Sequence, residues 1–182
     1  MAVSILSYEN LDIQLERPVD QDIERIFDKI VKNGRGGWCY ELNGLLHWVL
    51  EEIGFDVSRC VVGVLRNERG DAILGNHLIL LVQLDNLYLA DLGLGDGIRE
   101  PVPIKPGSYV QGELVFRLEK LDDGYWRFHN HGFGDPTSFD FKGRVSEFSH
   151  MRSGYRNPHQ LGFSDTDVGL FQTDLKGFCR LG

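Results

Sequence analysis

The spacing of apolar side chains changes period once along this chain, and the change divides it. Ile23, Ile26, Phe27, Ile30 and Val31 fall on one side of a helix predicted over about residues 21–33, with Asp20 placed as its cap and Asn33-Gly34 ending it. Trp38, Leu42, Leu45, Leu46, Val49 and Ile53 repeat at helical spacing, so a second helix begins at Cys39 and stops at Gly54. Beyond Gly54 the period becomes extended. Val57–Leu65 is rich in valine, and His77–Leu84 is the nearly continuous apolar run of a strand covered on both faces. Leu87–Asp91 follows across a turn at Asp85-Asn86, and Glu113–Leu121 and Tyr125–Asn130 read as a hairpin around Asp122-Asp123-Gly124. A short helix is expected near Val145–Met151, and residues 157–182 show no period. Helices followed by an antiparallel β-sheet or barrel make the expected class α+β, with a helical domain over residues 1–56 and a β domain over residues 57–182.

Composition narrows the partners. Of 182 residues 42% are hydrophobic, enough for one compact core or two small ones. Lys and Arg number 19 against 27 Asp and Glu, and the formal charge of −8 argues against nucleic acid or a membrane surface as a general partner, while leaving room for a local basic pocket. Cys39, Cys60 and Cys179 are an odd set with no CxxC pair, which fits reduced thiols in a cytosol; Cys60 and Cys179 read as packing residues. The start of the chain has neither the basic flank nor the apolar run of a signal peptide, and no stretch is long enough to span a bilayer, so a cytoplasmic location is expected.

Two readings of Cys39 stand side by side. At a helix start, free N–H groups and the macrodipole favour an anion, which suits a nucleophilic thiol; equally, free cysteines are often buried packing residues. A nucleophile needs a base, and the base needs a group that fixes its tautomer. His47 lies on the same helix roughly 12 Å beyond Cys39, too far to reach it. His129 and His131 share one strand face, a spacing that suits a metal, but no Cys or carboxylate matches it, and surface polarity is the alternative; no metal is expected. Nothing distinguishes His150 or His159. His77 opens an apolar strand whose hairpin partner ends in Asp91, a carboxylate that needs a partner in apolar surroundings. Their separation is even, so a two-residue turn would put them on opposite faces. A three-residue loop, Asp85-Asn86-Leu87, pairing Leu84 with Tyr88, puts them on one face, and that loop or a bulge is predicted. The alternative is a solvated strand-end histidine and a loop aspartate.

Taken together, Arg35-Gly36-Gly37-Trp38-Cys39-Tyr40-Glu41-Leu42-Asn43, the upstream Tyr8-Glu9-Asn10-Leu11 and the downstream Asn76-His77-Leu78 and Ala90-Asp91-Leu92-Gly93-Leu94-Gly95 resemble the arylamine N-acetyltransferase family, and Ser138-Phe139-Asp140 through Glu147-Phe148 continue the match more weakly. The resemblance implies a fold like that of cysteine proteases and transglutaminases, completed by a third, lid domain. It implies acetyl transfer from acetyl-coenzyme A to an aromatic amine, a hydrazine or an N-hydroxyarylamine by a ping-pong route. Cys39 would be the acetylated nucleophile, His77 its proton acceptor and donor, and Asp91 the group orienting His77. Gly93 and Gly95 would approach the coenzyme A pyrophosphate through backbone N–H groups. Trp38 and Leu94 would line the amine pocket, Leu94 standing where the family often has phenylalanine. Arg35 is expected to be buried and structural, paired with Glu9 or Glu41.

Compared with the family, the chain has little before Tyr8, a His-to-Asp hairpin one residue shorter, and an end at Gly182 about where the lid would begin. Three functions therefore stay open at this point: an arylamine-type acyltransferase, a thiol hydrolase whose acyl-enzyme meets water, and a non-catalytic binding protein, in which a homo-oligomer would cover surface left bare.

Overall fold

The computed structural model describes residues 6–143, so the expected helix at Val145–Met151, the continuation through Glu147-Phe148, His150, His159 and Cys179 lie outside the described residues. Three helices come first: α1 (Leu11–Gln14), α2 (Ile23–Phe27) and α3 (Cys39–Glu52). The first predicted helix starts later than its pattern suggested. Asp22 is the cap, its side chain accepting from the Arg25 N–H, while Asp20 in turn accepts from the Asp22 N–H. After Phe27 the helix widens into a π turn, Asp28–Lys32, closed by the Asn33 N–H donating to the Asp28 carbonyl at 2.9 Å.

The strands are β1 (Asp56–Val64), β2 (His77–Gln83), β3 (Leu87–Ala90), β4 (Val102–Pro103), β5 (Gly107–Gln111), β6 (Leu114–Lys120), β7 (Trp126–His129) and β8 (Ser138–Phe141), with the short helix α4 (Arg66–Arg69) and a 3₁₀ turn, Asp71–Ile73, between β1 and β2. All pair antiparallel in one sheet ordered β4-β3-β2-β1-β8-β7-β6-β5. β1 serves both halves: Asp56–Val62 pair with β2, then Gly63 and Val64 pair with β8.

β2 explains its own continuous apolar run. Ile79 and Leu81 join a core with Val62, Leu89 and the phenylalanines Phe116, Phe128, Phe139 and Phe141, whereas Leu80 and Val82 face Leu46 and Leu50 of α3. A strand covered on both faces has no polar face to alternate with. α3 is likewise covered on two sides, because Leu42 and Leu45 pack against Ile26 and Ile30 while Leu46 and Leu50 meet the sheet. That arrangement corrects the expected stripe. His47 is buried, and Val49 and Ile53 face outward, Ile53 at 64% exposure.

Candidate active site

The glycine turn before α3 is shaped by what passes beside it. The Gly37 N–H donates to the Ser7 carbonyl and the Glu9 N–H to the Gly37 carbonyl, forming a small parallel bridge. A Cβ on Gly36 would lie 2.3 Å from the Ser7 oxygen, so only glycine admits this approach. Glu41, three residues into the helix, accepts from the Trp38 N–H at 3.1 Å and settles one of the free donors of the helix start. Glu41 is itself buried, which pushes its carboxyl up, against the pull of Lys29 at 2.8 Å. Arg35 pairs with Glu9 at 2.6 Å and Asp12 at 3.0 Å rather than with Glu41, and it is partly exposed rather than buried. A cleft of about 350 Å³ beside this network, lined by Asp12, Lys29, Arg35 and Glu41 among others, includes none of Cys39, His77 or Asp91, and those four charges neutralise one another.

Cys39 is the first residue of α3 and is buried. Its neighbour Tyr40 reaches across to donate its hydroxyl to the Gly75 carbonyl, which ties the helix start to the approach to β2. Burial, and the adjacent Cys39 charge, hold the Tyr40 hydroxyl far above its usual pKa, so it acts as a fixed donor. His77 then opens β2 in the core and Asp91 follows directly after β3, with the His77 Nε2 2.8 Å from the Asp91 Oδ2. With Nε2–H turned to the carboxylate, Nδ1 is the nitrogen left for the thiol. Burial alone would drive the His77 proton off. The Asp91 charge and hydrogen bond outweigh it, the Cys39 side chain adds to them, and the ring's pKa is raised.

The same-face placement arises as strand parity required, with one change of detail. Gln83 pairs with Leu87 and Val82 with Tyr88, so the loop has three residues but is Leu84-Asp85-Asn86, one position earlier than expected. Asp91 Oδ1, the oxygen turned away from His77, accepts from the Gly93 N–H at 2.7 Å and from Asn43 Nδ2 at 2.8 Å.

Gly93 packs between Asp91 and Cys39. Its N–H is given to Asp91, and a Cβ there would lie 2.5 Å from the Cys39 Cα, so the missing side chain lets the loop rest directly on the cysteine. Gly95 is exposed and left-handed at φ +79°, with its backbone in solvent. Leu94 is half-buried against the sheet core, and Gly97 packs on it. Trp38 lies half-buried, its ring 4.9 Å from that of Tyr40, and packs with Cys39 and Leu78. His129 and His131 do not converge: His129 bonds Glu119 at 2.8 Å, whereas His131 leaves the strand and bonds Asp96 at 3.1 Å. Among the described residues no group of three or more potential ligands is placed to hold a metal ion, and no helix is long and apolar enough to cross a membrane. Sequence reasoning missed Asn43 as a working residue. The available signal was a carboxamide one turn after Cys39, in the middle of an apolar helix face.

A helical unit resting on an antiparallel sheet, with a buried thiol, imidazole and carboxylate where the two meet, defines a class of protein equipped for thiol chemistry. Residues 2–143 match the family model described as N-acetyltransferase, and the chain belongs to that family. It is 35% identical over 131 residues to arylamine N-acetyltransferase 1 of Bos taurus, a match covering 68% of this chain and 44% of that protein. With the arylamine N-acetyltransferase of Mycolicibacterium smegmatis it shares 41% over 128 residues, 66% of this chain and 46% of the relative. Among solved structures, the M. smegmatis arylamine N-acetyltransferase superposes with a TM-score of 0.65 at 31% identity, covering 76% of this chain and 54% of that one. The Mycobacterium marinum arylamine N-acetyltransferase in complex with CoA gives 0.66 at 29%, with the same coverage. The chain spans a little under half the length of these curated relatives.

Proposed function

We propose that this chain carries the reacting groups of an arylamine-type N-acetyltransferase, with Cys39 as nucleophile, His77 as proton acceptor and donor, and Asp91 as the group that orients His77. The His77–Asp91 bond of 2.8 Å beside the buried Cys39 is the observation that carries the reading. The raised proton affinity of His77 favours transfer of the thiol proton to the ring, giving a thiolate beside an imidazolium. The thiolate attacks the thioester carbonyl of acetyl-coenzyme A, and the departing coenzyme A thiolate takes the ring proton. An arylamine, hydrazine or N-hydroxyarylamine nitrogen then attacks the acetyl-Cys39 carbonyl, gives its proton to His77, and Cys39 leaves to recover that proton as a thiol. Coenzyme A in the Mycobacterium marinum relative supports the choice of donor. On this chain Gly95, whose backbone stands in solvent next to the site loop, fits a contact with the pyrophosphate better than Gly93, whose N–H is already engaged. Trp38 and Leu94 would border the amine.

Incubation with p-nitrophenyl acetate followed by intact mass measurement and peptide mapping tests the first half-reaction. An acetyl adduct on Cys39 that is lost in Cys39→Ser and discharged by added arylamine is expected. An adduct elsewhere, or none, removes the assignment, and discharge at the same rate without amine makes the chain a hydrolase.

A further inference from the structure

The Asn43 side chain is completely buried, and each of its polar atoms is engaged by a segment that carries one of the proposed reacting groups. Nδ2 donates to the Leu78 carbonyl at 2.6 Å, one residue after His77, and to Asp91 Oδ1 at 2.8 Å. Oδ1 accepts from the Leu92 N–H at 2.9 Å, one residue after Asp91. The amide sits four residues after Cys39, one turn along the same helix, so it shares the face of α3 that bears the thiol. Two acceptors on one side and an N–H donor on the other allow a single orientation; turning the amide over would set oxygen against oxygen at both Leu78 and Asp91.

We propose that Asn43 is a positioning residue for the relay, acting through Asp91: it holds the carboxylate in the rotation that gives Oδ2 to His77. Gly93 N–H and Asn43 Nδ2–H both donate to Oδ1 and saturate it, leaving Oδ2 as the oxygen for the ring. In that rotation Asp91 supplies the bond and the charge that sustain the proton on His77. No arginine or lysine bonds Asp91 among the described residues, so a carboxamide and a backbone N–H fix its rotation. The titratable group that bonds it is His77 from β2, and Cys39 from α3 bonds that ring in turn. Gly93 could not do this alone, because its N–H belongs to the loop being positioned, whereas Asn43 refers Asp91 to the helix that carries the sulfur.

The role rests on the Cys39, His77 and Asp91 reading, and the test separates the two. Asn43→Asp keeps the size and the acceptor for Leu92 N–H but turns a lone pair toward Asp91, and Asn43→Ala removes the donors without adding charge. The rate of Cys39 alkylation by iodoacetamide is measured against pH in wild type, His77→Gln and both Asn43 variants, with thermal melting at each pH. At pH 7 Asn43→Asp is expected to alkylate about tenfold more slowly than wild type, a loss worth about 1.4 kcal/mol. It should recover toward the wild-type rate as the pH falls and the new carboxyl takes up a proton, because a carboxylic acid donates as the amide did. Asn43→Ala should be slow without that acidic recovery. If wild type and His77→Gln share one profile, the relay itself is overturned and the role of Asn43 with it. If they differ and a folded Asn43 variant follows wild type, or if Asn43→Asp loses reactivity equally at every pH in step with its melting temperature, the positioning role alone is overturned.

Discussion

Two carboxylates deep in this molecule invite comparison. Asp140 in β8 is fully buried and is gripped by arginines: Arg127 holds both of its oxygens at 2.7 Å, and Arg66 reaches Oδ2 at 3.2 Å. Arg66 bonds Asp71 and Asp123 as well and lies over the Tyr125 ring at 3.9 Å, and these bonds raise its already high pKa against burial. Asp91 is buried to nearly the same degree, but its partners are an imidazole, a carboxamide and a backbone N–H. Guanidinium does not surrender a proton at any working pH, so Arg66 and Arg127 serve as a permanent staple that joins α4, β7 and β8 through Asp140. Imidazole does exchange protons, so the Asp91 cluster has two states. Burial is common to both acids; a partner that exchanges protons is what fits Asp91, and not Asp140, to the proposed relay.

Substitution by the isosteric amide should pull the two apart most strongly. Asp91→Asn is expected to reduce acetyl transfer about a thousandfold by offering His77 a donor and inverting its tautomer, with little loss of melting temperature. Asp140→Asn is expected to leave activity per folded molecule unchanged while costing about 3 kcal/mol, because two guanidinium groups lose their counter-charge. Steady-state rates normalised to folded protein, together with urea midpoints, check both. An Asp91→Asn chain within tenfold of wild-type activity would show that the carboxylate does not orient the ring.

Gly93→Ala probes how closely the reacting region is packed. The added methyl meets the Cys39 Cα at 2.5 Å and Cβ at 2.7 Å, both held by the helix, so the loop must retreat. A loss of about 2 kcal/mol is expected, accompanied by slower Cys39 alkylation as Asp91 loses the Gly93 N–H. An Ala variant of wild-type stability and reactivity would mean the loop yields freely.

The smallest effect concerns a third acid, Asp12, which is held by cations as Asp140 is but lies nearer the surface. Burial opposes its ionisation, yet Lys29 and Arg35 bring its pKa from 3.8 down to about 2. A depressed acid stabilises the fold above its unfolded pKa, and that contribution fades as pH falls through the folded value. The urea midpoint of Asp12→Asn should therefore trail wild type by a constant amount from pH 5 to 7, and the gap should close between about pH 4 and 2. A gap independent of pH would assign the effect to packing.

Legibility in sequence followed how local the determinants were. The start of α3 at Cys39 and its end before Gly54 were readable because a period and a left-handed glycine at φ +93° act within a few residues. The three-residue His-to-Asp loop could be inferred because strand parity is arithmetic, though its offset by one position depended on the register in which β2 and β3 pair. β5 was missed because its exposed, weakly apolar stretch has little signal, with Val110 at 70% exposure. β8 escaped the pattern reading because Asp140 breaks its apolar run, and its charge is tolerable only beside arginines distant in the chain.

By itself the sequence determined the helical and extended segments, the thiol at a helix start, and the shared face of His77 and Asp91, since each follows from backbone period and turn length. Tertiary structure alone decided that Asn43 would bridge all three segments, that Gly93 would give its N–H to Asp91, and that His47 would be buried while Ile53 faced water. Those outcomes depend on which surfaces meet. A hydrogen bond between residues nearly fifty positions apart exists only once α3 rests against the segment that follows β3, and no local pattern encodes that meeting.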